Sequence, residues 1–139
     1  MVARILVPMN DSEMAGHALE FACQSFPDAE LTVLAVVGGP SAYMGEAVSI
    51  AMADDPEAAA ADRAEPIFDT AREIAAETGH QLDTEVAMGH PTRAIVDRAA
   101  DYDLVVIGAH SRELGARVLL GNVAETVTRR SPVPVTVVR

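Results

Sequence analysis

The 139-residue chain contains no lysine and no tryptophan, a single cysteine, and few aromatic residues, which make up 4% of the sequence. Without lysine the chain cannot form the usual phosphate-binding P-loop, so an efficient kinase or ATPase is not expected. The single Cys23 excludes an internal disulfide framework and is predicted to be a small buried apolar residue. The core must therefore be built from valine, leucine, isoleucine, alanine and methionine.

The sequence also lacks long apolar runs and is poor in positive charge. No run approaches the roughly 18 apolar residues of a membrane helix. The apolar run in the first residues, MVARILVP, is too short for the hydrophobic region of a signal peptide and lacks a cleavage site. The net charge of −11 argues against nucleic acid or an anionic membrane as partner. We therefore predict a soluble cytoplasmic protein. The acidic, lysine-free composition is typical either of a salt-adapted source or of a GC-rich genome, and both readings stay open.

Apolar runs alternate with helical patterns along one predicted domain, residues 1–139. The predicted strands are Ala3–Met9, Glu30–Val37, Leu82–Met88, Leu104–Ile107 and Val135–Val138. The predicted helices are Ser12 to about Phe26, about Pro56 to Thr78, Thr92–Ala100, and a last one from Asn122 to Pro132. This alternation predicts an α/β fold with an open five-stranded parallel sheet and helices on both faces. Leu82–Met88 alternates most and is predicted near an edge, while Ser41 to about Ala61 is left irregular, as a lid over the pocket or as part of the core or an interface.

A glycine-containing loop follows the fourth predicted strand, with Gly108, Gly115 and Gly121, and leads to Asn122, the predicted N-cap of the last helix. In a parallel sheet, ligands bind beyond the carboxyl ends of the strands. A strand, a glycine loop and a helix start together form a geometry in which backbone N–H groups and the helix dipole can hold a phosphate. The sequence thus points to a phosphate site at this edge.

Three stretches, Ile5–Ala15, Gly89–Ser111 and Leu119–Val138, resemble the universal stress protein family over the full length of the chain. The resemblance implies a fold like that of the adenine nucleotide alpha hydrolases and a homodimer that pairs the last strands, here through Val135, Thr136, Val137 and Val138. It also implies a candidate site for ATP, with Mg²⁺, or for AMP. The candidate nucleotide-binding residues are Asn10, Val36, Val37, Met88, Gly108, Ser111, Arg112, Gly121, Asn122 and Val123.

The chain departs from the pattern of the nucleotide-binding members at three positions. The resemblance implies an aspartate at position 10, a second glycine at position 111, and a serine or threonine at position 122. This chain has Asn10, Ser111 and Asn122 instead. Asn122 can cap a helix and donate to phosphate, and Asn10 keeps an acceptor but loses its charge. Ser111 would cost on the order of 1 kcal/mol if the loop needs a positive φ there. Arg112 and Arg117 add positive charge to the same loop.

Two hypotheses therefore remain open. The first is a small regulatory module that binds ATP or AMP, with slow hydrolysis at most. The second is a dimeric stress protein that acts through protein contacts and whose pocket is degenerate. No catalytic residue and no protein-bound metal are expected: Ser12 is predicted as a helix cap rather than a nucleophile. The four histidines (His17, His80, His90 and His110) are predicted as surface or loop residues rather than metal ligands. The alternative for His110 is that it stacks on a ligand or positions a phosphate.

Overall fold

The computed structural model describes residues 2–38, 52, 54–109, 112–114, 117–119 and 121–139, with the backbone alone at 112–114 and 117–119. Residues 41–51 and 53, most of the predicted irregular segment, lie outside the described residues, and so does the lid prediction made for it. The described strands are β1 (Arg4–Met9), β2 (Glu30–Val37), β3 (Leu82–Met88), β4 (Leu104–Gly108), β5 (Arg112–Leu114), β6 (Arg117–Leu119) and β7 (Val135–Val138). The described helices are α1 (Glu13–Ser25), α2 (Pro56–Ala76), α3 (Pro91–Ala99) and α4 (Asn122–Arg130).

Five of the strands form one parallel sheet in the order β3-β2-β1-β4-β7. This confirms the predicted α/β fold, and β3 is an edge strand as predicted. The chain first builds outward from β1 to β2 and β3, and then returns to the other side of β1 to add β4 and β7. The strand order therefore reverses between β1 and β4, which are paired with Ile5 opposite Leu104.

Alternating side chains of the buried strands supply two apolar layers, one on each face of the sheet. In β1, Ile5 and Val7 face a cluster that contains α1 and α2, while Leu6 faces a cluster that contains α3 and α4. All three of these side chains are fully buried. A strand covered on both faces must be apolar throughout, which is why the runs in β1, β2 and β4 could be recognised in the sequence.

The ends of the helices follow local rules that the sequence displays. Ser12 is the N-cap of α1, as predicted: its Oγ accepts the N–H of Ala15 at 3.2 Å. After α2, Gly79 has φ 74° and donates its N–H to the Ala76 carbonyl at 3.2 Å, while His80 donates to the Ala75 carbonyl at 3.0 Å. These two bonds form a Schellman motif and confirm the predicted C′ position of Gly79.

The loop predicted between Gly108 and Gly121 contains two short strands, which were not predicted. β5 and β6 pair antiparallel, with Arg112 opposite Leu119 and Leu114 opposite Arg117. The sequence signal is a pair of three-residue segments separated by two residues of which the first is glycine, a pattern typical of tight hairpins.

At the opposite, amino-terminal edge of the sheet, the turn before β4 holds the start of β1. The Asp103 carboxylate accepts the backbone N–H groups of Ala3 at 2.9 Å and of Arg4 at 3.0 Å. These two bonds, the one from Ala3 most of all, hold the pKa of Asp103 below its usual value. Arg4 in turn donates to the Asp101 carbonyl at 2.9 Å, and its guanidinium lies 4.9 Å from the centre of the Tyr102 ring.

Candidate functional site

The candidate site lies at the carboxyl edge of the sheet, where β1 and β4 end side by side. Asn10 directly follows β1, and Gly108 is the last residue of β4. The helices α1 and α4 begin at this same edge. Because the strand order reverses between β1 and β4, their connections leave toward opposite faces and open a crevice, the usual ligand position in such folds.

Asn10 shapes the turn that leads into α1. It is exposed, and its Oδ1 accepts the N–H of Ser12 at 2.9 Å. Since that oxygen is engaged in the turn, a ligand would meet chiefly the side-chain NH₂ group, which is a donor. An aspartate at this position would present an acceptor in its place, so the substitution changes the chemistry that position 10 offers.

Gly108 permits a close approach between β4 and the first turn of α1. A Cβ atom built on Gly108 would lie 2.5 Å from the Met14 carbonyl oxygen and 2.7 Å from its carbon. Both are backbone atoms, which cannot move aside cheaply. The glycine is thus required by helix–strand packing, whether or not a ligand is bound.

The start of α4 differs from the prediction in one position. Gly121 is the N-cap (φ −63°, ψ 155°) and Asn122 is the first helical residue, so the predicted N-cap Asn122 is wrong. Asn122 is exposed, Val123 is half-buried, and within the described ranges no side chain caps this end. The first N–H groups of a helix lack intrahelical acceptors and carry partial positive charge, so they can receive an anion.

One carboxylate shares this first turn, but it is neutralised locally. Glu125 lies 2.7 Å from the Arg129 guanidinium, one turn further along the same helix. Such i,i+4 pairs are worth only a few tenths of a kcal/mol. Even so, the pairing keeps a positive charge next to this carboxylate and lowers its repulsion of an incoming anion.

The remaining predicted nucleotide residues are distributed over two neighbouring strands and the hairpin. Val37 and Met88 are register partners at the ends of β2 and β3. Val37 is buried in the α1–α2 cluster, whereas Val36 packs on the α3–α4 cluster and Met88 is 50% exposed. The structure therefore brings Val37 and Met88 together and points Val36 to the opposite face. Ser111 and the side chain of Arg112 lie outside the described residues.

A cavity of about 150 Å³ adjoins the end of β1 on the α1–α2 face. It is bounded by the turn into α1 and by the middle of α2, where Pro66 lies inside the helix and its carbonyl accepts the Thr70 hydroxyl at 3.2 Å. Among the described residues, Asn10 is the one predicted site residue that lines it. No sequence pattern pointed to the α2 residues as part of a site, apart from Pro66 within the predicted helix. The lining residues are Met9, Asn10, Asp11, Ser12, Gly16, Pro66, Ile67 and Thr70.

The other reactive side chains of the described residues form no second site. Within the described ranges no group of three or more histidine, cysteine or acidic side chains could hold a metal ion, and no helix is long and apolar enough to cross a membrane. Cys23 is buried, as predicted, and burial raises the pKa of its thiol. His17 and His90 are exposed, His80 bonds to Thr78 in the turn after α2, and His110 lies outside the described residues.

Comparison with known proteins identifies the fold and the family of this chain. The family model described as "Universal stress protein family" matches residues 1–139. The chain therefore belongs to the universal stress protein family. It is 30% identical over 148 residues to the universal stress protein YxiE of Bacillus subtilis, covering 100% of both chains.

Solved structures give the same result. The universal stress protein UspA from Lactobacillus plantarum is 30% identical and has a TM-score of 0.74, with 99% of this chain and 98% of that chain covered. Two further structures share the fold at lower identity. One is a universal stress protein in complex with cAMP (24% identity, TM-score 0.69, 99% and 97% covered). The other is the universal stress protein from Archaeoglobus fulgidus in complex with dAMP (19% identity, TM-score 0.70, 100% and 98% covered).

Proposed function

We propose that this universal stress protein is a regulatory module that binds an adenine nucleotide at the carboxyl edge of its sheet. The observation that carries the proposal is the start of α4. The N-cap residue of this helix, Gly121, has no side chain to bond to the first N–H groups. The helix begins beside the crevice between β1 and β4. An anion bound there meets backbone donors and the positive end of the helix dipole. Relatives of the same fold bind cAMP and dAMP, which supports an adenine nucleotide as the anion.

In the proposed arrangement, the chain's own residues have distinct tasks. The first N–H groups of α4 hold a phosphate, and Asn10 donates from its amide to the sugar or the phosphate. Met88, half of whose side chain is exposed, offers apolar surface for the base next to its buried register partner Val37. Mg²⁺ would enter with the phosphates of ATP, since the described residues provide no metal site of their own.

We also propose that the protein is a cytoplasmic homodimer joined through β7. β7 pairs with β4 on one side, and its four residues are half-buried. An apolar edge strand is a template for pairing with another strand. In a dimer with a two-fold axis, β7 of one copy would pair with β7 of the other, which buries both edge strands.

Isothermal titration calorimetry tests the nucleotide proposal directly. The protein is denatured and refolded to remove bound nucleotide, checked for folding by circular dichroism, and titrated with AMP, cAMP and ATP, the last with and without Mg²⁺. Each titration is run in dilute and in molar salt, because the net charge of −11 opposes anion binding most strongly when it is unscreened. Dissociation constants in the micromolar range support the proposal. Folded protein that gives no heat up to millimolar nucleotide contradicts it, and then favours the alternative of a stress protein that acts through protein contacts.

A further inference from the structure

One arginine at the carboxyl edge is placed against the dipole of its own helix. Arg93 is the third residue of α3, and the first turn of this helix contains no acidic residue. By contrast, the first turns of α1, α2 and α4 contain Glu13, Glu57 and Glu125. The N-terminal end of a helix disfavours a cation, so helix stability does not explain an arginine at this position.

Arg93 also lacks a carboxylate partner in a chain that has 21 acidic residues and 10 basic ones. Its side chain is exposed, and within the part of the chain that the structure describes it forms no ion pair. Arg98 of the same helix is paired with Glu85 of β3. The positive charge of Arg93 is therefore available to a ligand.

The position of Arg98 shows which flank of α3 carries Arg93. Because Arg98 pairs with β3, at one edge of the sheet, its flank faces away from the centre of the sheet. Arg93 and Arg98 are five residues apart, so their side chains leave the helix axis in directions that differ by about 140°. Arg93 therefore lies on the other flank. That flank faces α4, which packs on the same face of the sheet through Ala124 and Val127.

The two helices pack against each other and begin at the same edge, so we place Arg93 beside the start of α4. Packed helices lie about 8–10 Å apart, axis to axis, and side chains of a helix lean toward its N-terminus. An arginine in the first turn of α3 can therefore extend over the carboxyl edge toward an anion held at Asn122. A guanidinium can donate two parallel N–H bonds to two phosphate oxygens, whereas the ammonium group of lysine acts as a single point charge.

We propose that Arg93 is a specificity-determining residue of the nucleotide site and that it selects for polyphosphate. This inference rests on the proposed function. The first turn of α4 holds one phosphate, and Arg93 binds the phosphates beyond it. The site consequently prefers ATP and ADP to AMP and cAMP, although the overall charge of the protein would otherwise repel the more highly charged ligands.

The experiment compares Arg93→Gln with Arg130→Gln by titration with AMP, ADP and ATP. Arg130 is a matched control because it is exposed and forms no ion pair in the described part of the chain, but it lies at the far end of α4. We expect Arg93→Gln to weaken ATP binding about tenfold and AMP binding less than about twofold, since it removes a charge-assisted contact to the outer phosphates only. Arg130→Gln should leave both affinities within about twofold of wild type, as expected for a screened charge far from the site.

Thermal unfolding separates binding from stability. Arg93→Gln should unfold at the same temperature as wild type or higher, since it removes a cation from a helix N-terminus. Equal losses for AMP and ATP, or no loss for either, would overturn the assignment of Arg93 and leave the proposed function standing. If wild type binds no adenine nucleotide, the proposed function fails, and inorganic tripolyphosphate then decides about Arg93. A rise in unfolding temperature with tripolyphosphate that is lost in Arg93→Gln supports the phosphate contact, and no such difference overturns it.

Discussion

Gly108 lies against the backbone of Met14, so closely that a methyl group at position 108 would come within 2.5 Å of the Met14 carbonyl oxygen. The end of β4 and the first turn of α1 thus share one small volume. This contact ties a candidate nucleotide-binding glycine to the packing of the fold itself. The presence of Gly108 consequently says little about whether nucleotide binding is retained, and the start of α4 carries that argument.

Replacing Gly108 by alanine should destabilise the protein by about 1–3 kcal/mol, the usual cost of forcing an extra group into a packed interior. Urea unfolding followed by circular dichroism measures the change. Gly16→Ala is the matched control, because among the described residues a Cβ there would meet only the Ile74 Cδ1 atom at 3.4 Å. This variant should be as stable as wild type or up to about 1 kcal/mol more stable, since alanine favours a helix over glycine. Equal stability of the two variants would show that the Gly108 contact is not a constraint.

Asn122→Asp should change stability and nucleotide binding in opposite directions. A carboxylate in the first turn of α4 interacts favourably with the helix dipole, so the free energy of unfolding should rise by about 0.3–1 kcal/mol. The same charge repels a bound phosphate. One like charge about 4 Å away costs up to about 4 kcal/mol near a protein surface, so we expect ATP and AMP affinities to fall at least about tenfold.

Gln24→Glu makes the same chemical change near the other end of a helix. Gln24 is exposed in the last turn of α1 and donates to Glu20. A carboxylate there opposes both Glu20 and the helix dipole, so this variant should be slightly less stable and should bind nucleotide as wild type does. Asn122→Asp protein with unchanged affinity would remove α4 from the nucleotide site.

The sequence predicts the frame of this protein better than its site, for a physical reason. Runs such as Leu104–Ile107 must be apolar because both faces of the strand are covered, and Ser12 and Gly79 are restricted by local backbone chemistry. Such requirements are visible in single residues and their neighbours. The contact of Gly108 with Met14 and the flank occupied by Arg93 depend on how distant segments pack, so no local pattern displays them. Asn122 was misplaced by one position because glycine and asparagine both occur as N-caps.

Asp103 should make stability depend on pH in the acid range. Its pKa is lowered in the folded state from 3.8 by the N–H groups of Ala3 and Arg4. A lowered folded-state pKa stabilises the protein above the unfolded-state value, and this stabilisation is lost as pH falls through the folded-state value. Asp103→Asn should therefore be less stable than wild type at pH 7, and the difference should shrink between about pH 5 and pH 3.

Urea unfolding at a series of pH values measures this difference. Asp97→Asn is the control, because Asp97 is exposed on α3 and forms no ion pair in the described residues. The pH dependence assigned to Asp103 is the part of its difference from wild type that exceeds the difference for Asp97→Asn. A difference between Asp103→Asn and wild type that stays constant down to pH 3 would contradict the role given to the two backbone bonds.

Val137→Pro should separate the proposed dimer into monomers while leaving each subunit folded. The Val105 N–H is bonded to the Pro134 carbonyl and the Ala109 N–H to the Val138 carbonyl. In a parallel pair, alternate residues of a strand bond to the same side, so the backbone groups of Val137 point to the outer edge of β7. Proline at this position removes an edge donor and no bond to β4, which an edge strand tolerates.

Sedimentation equilibrium of wild type, Val137→Pro and Val137→Ala tests the prediction. Alanine shortens the same half-buried side chain but keeps the N–H, so it accounts for the lost packing, roughly 1 kcal/mol. We expect wild type and Val137→Ala to sediment as dimers and Val137→Pro as a monomer, with all three giving the same circular dichroism spectrum. A monomeric wild type would refute the dimer, whereas a dimeric Val137→Pro would place the interface on a surface other than the outer edge of β7. That distinction bears on nucleotide binding as well, because Gly108 and Val138 are register partners. A β7 interface would therefore lie one strand away from the candidate site and could couple its occupancy to assembly.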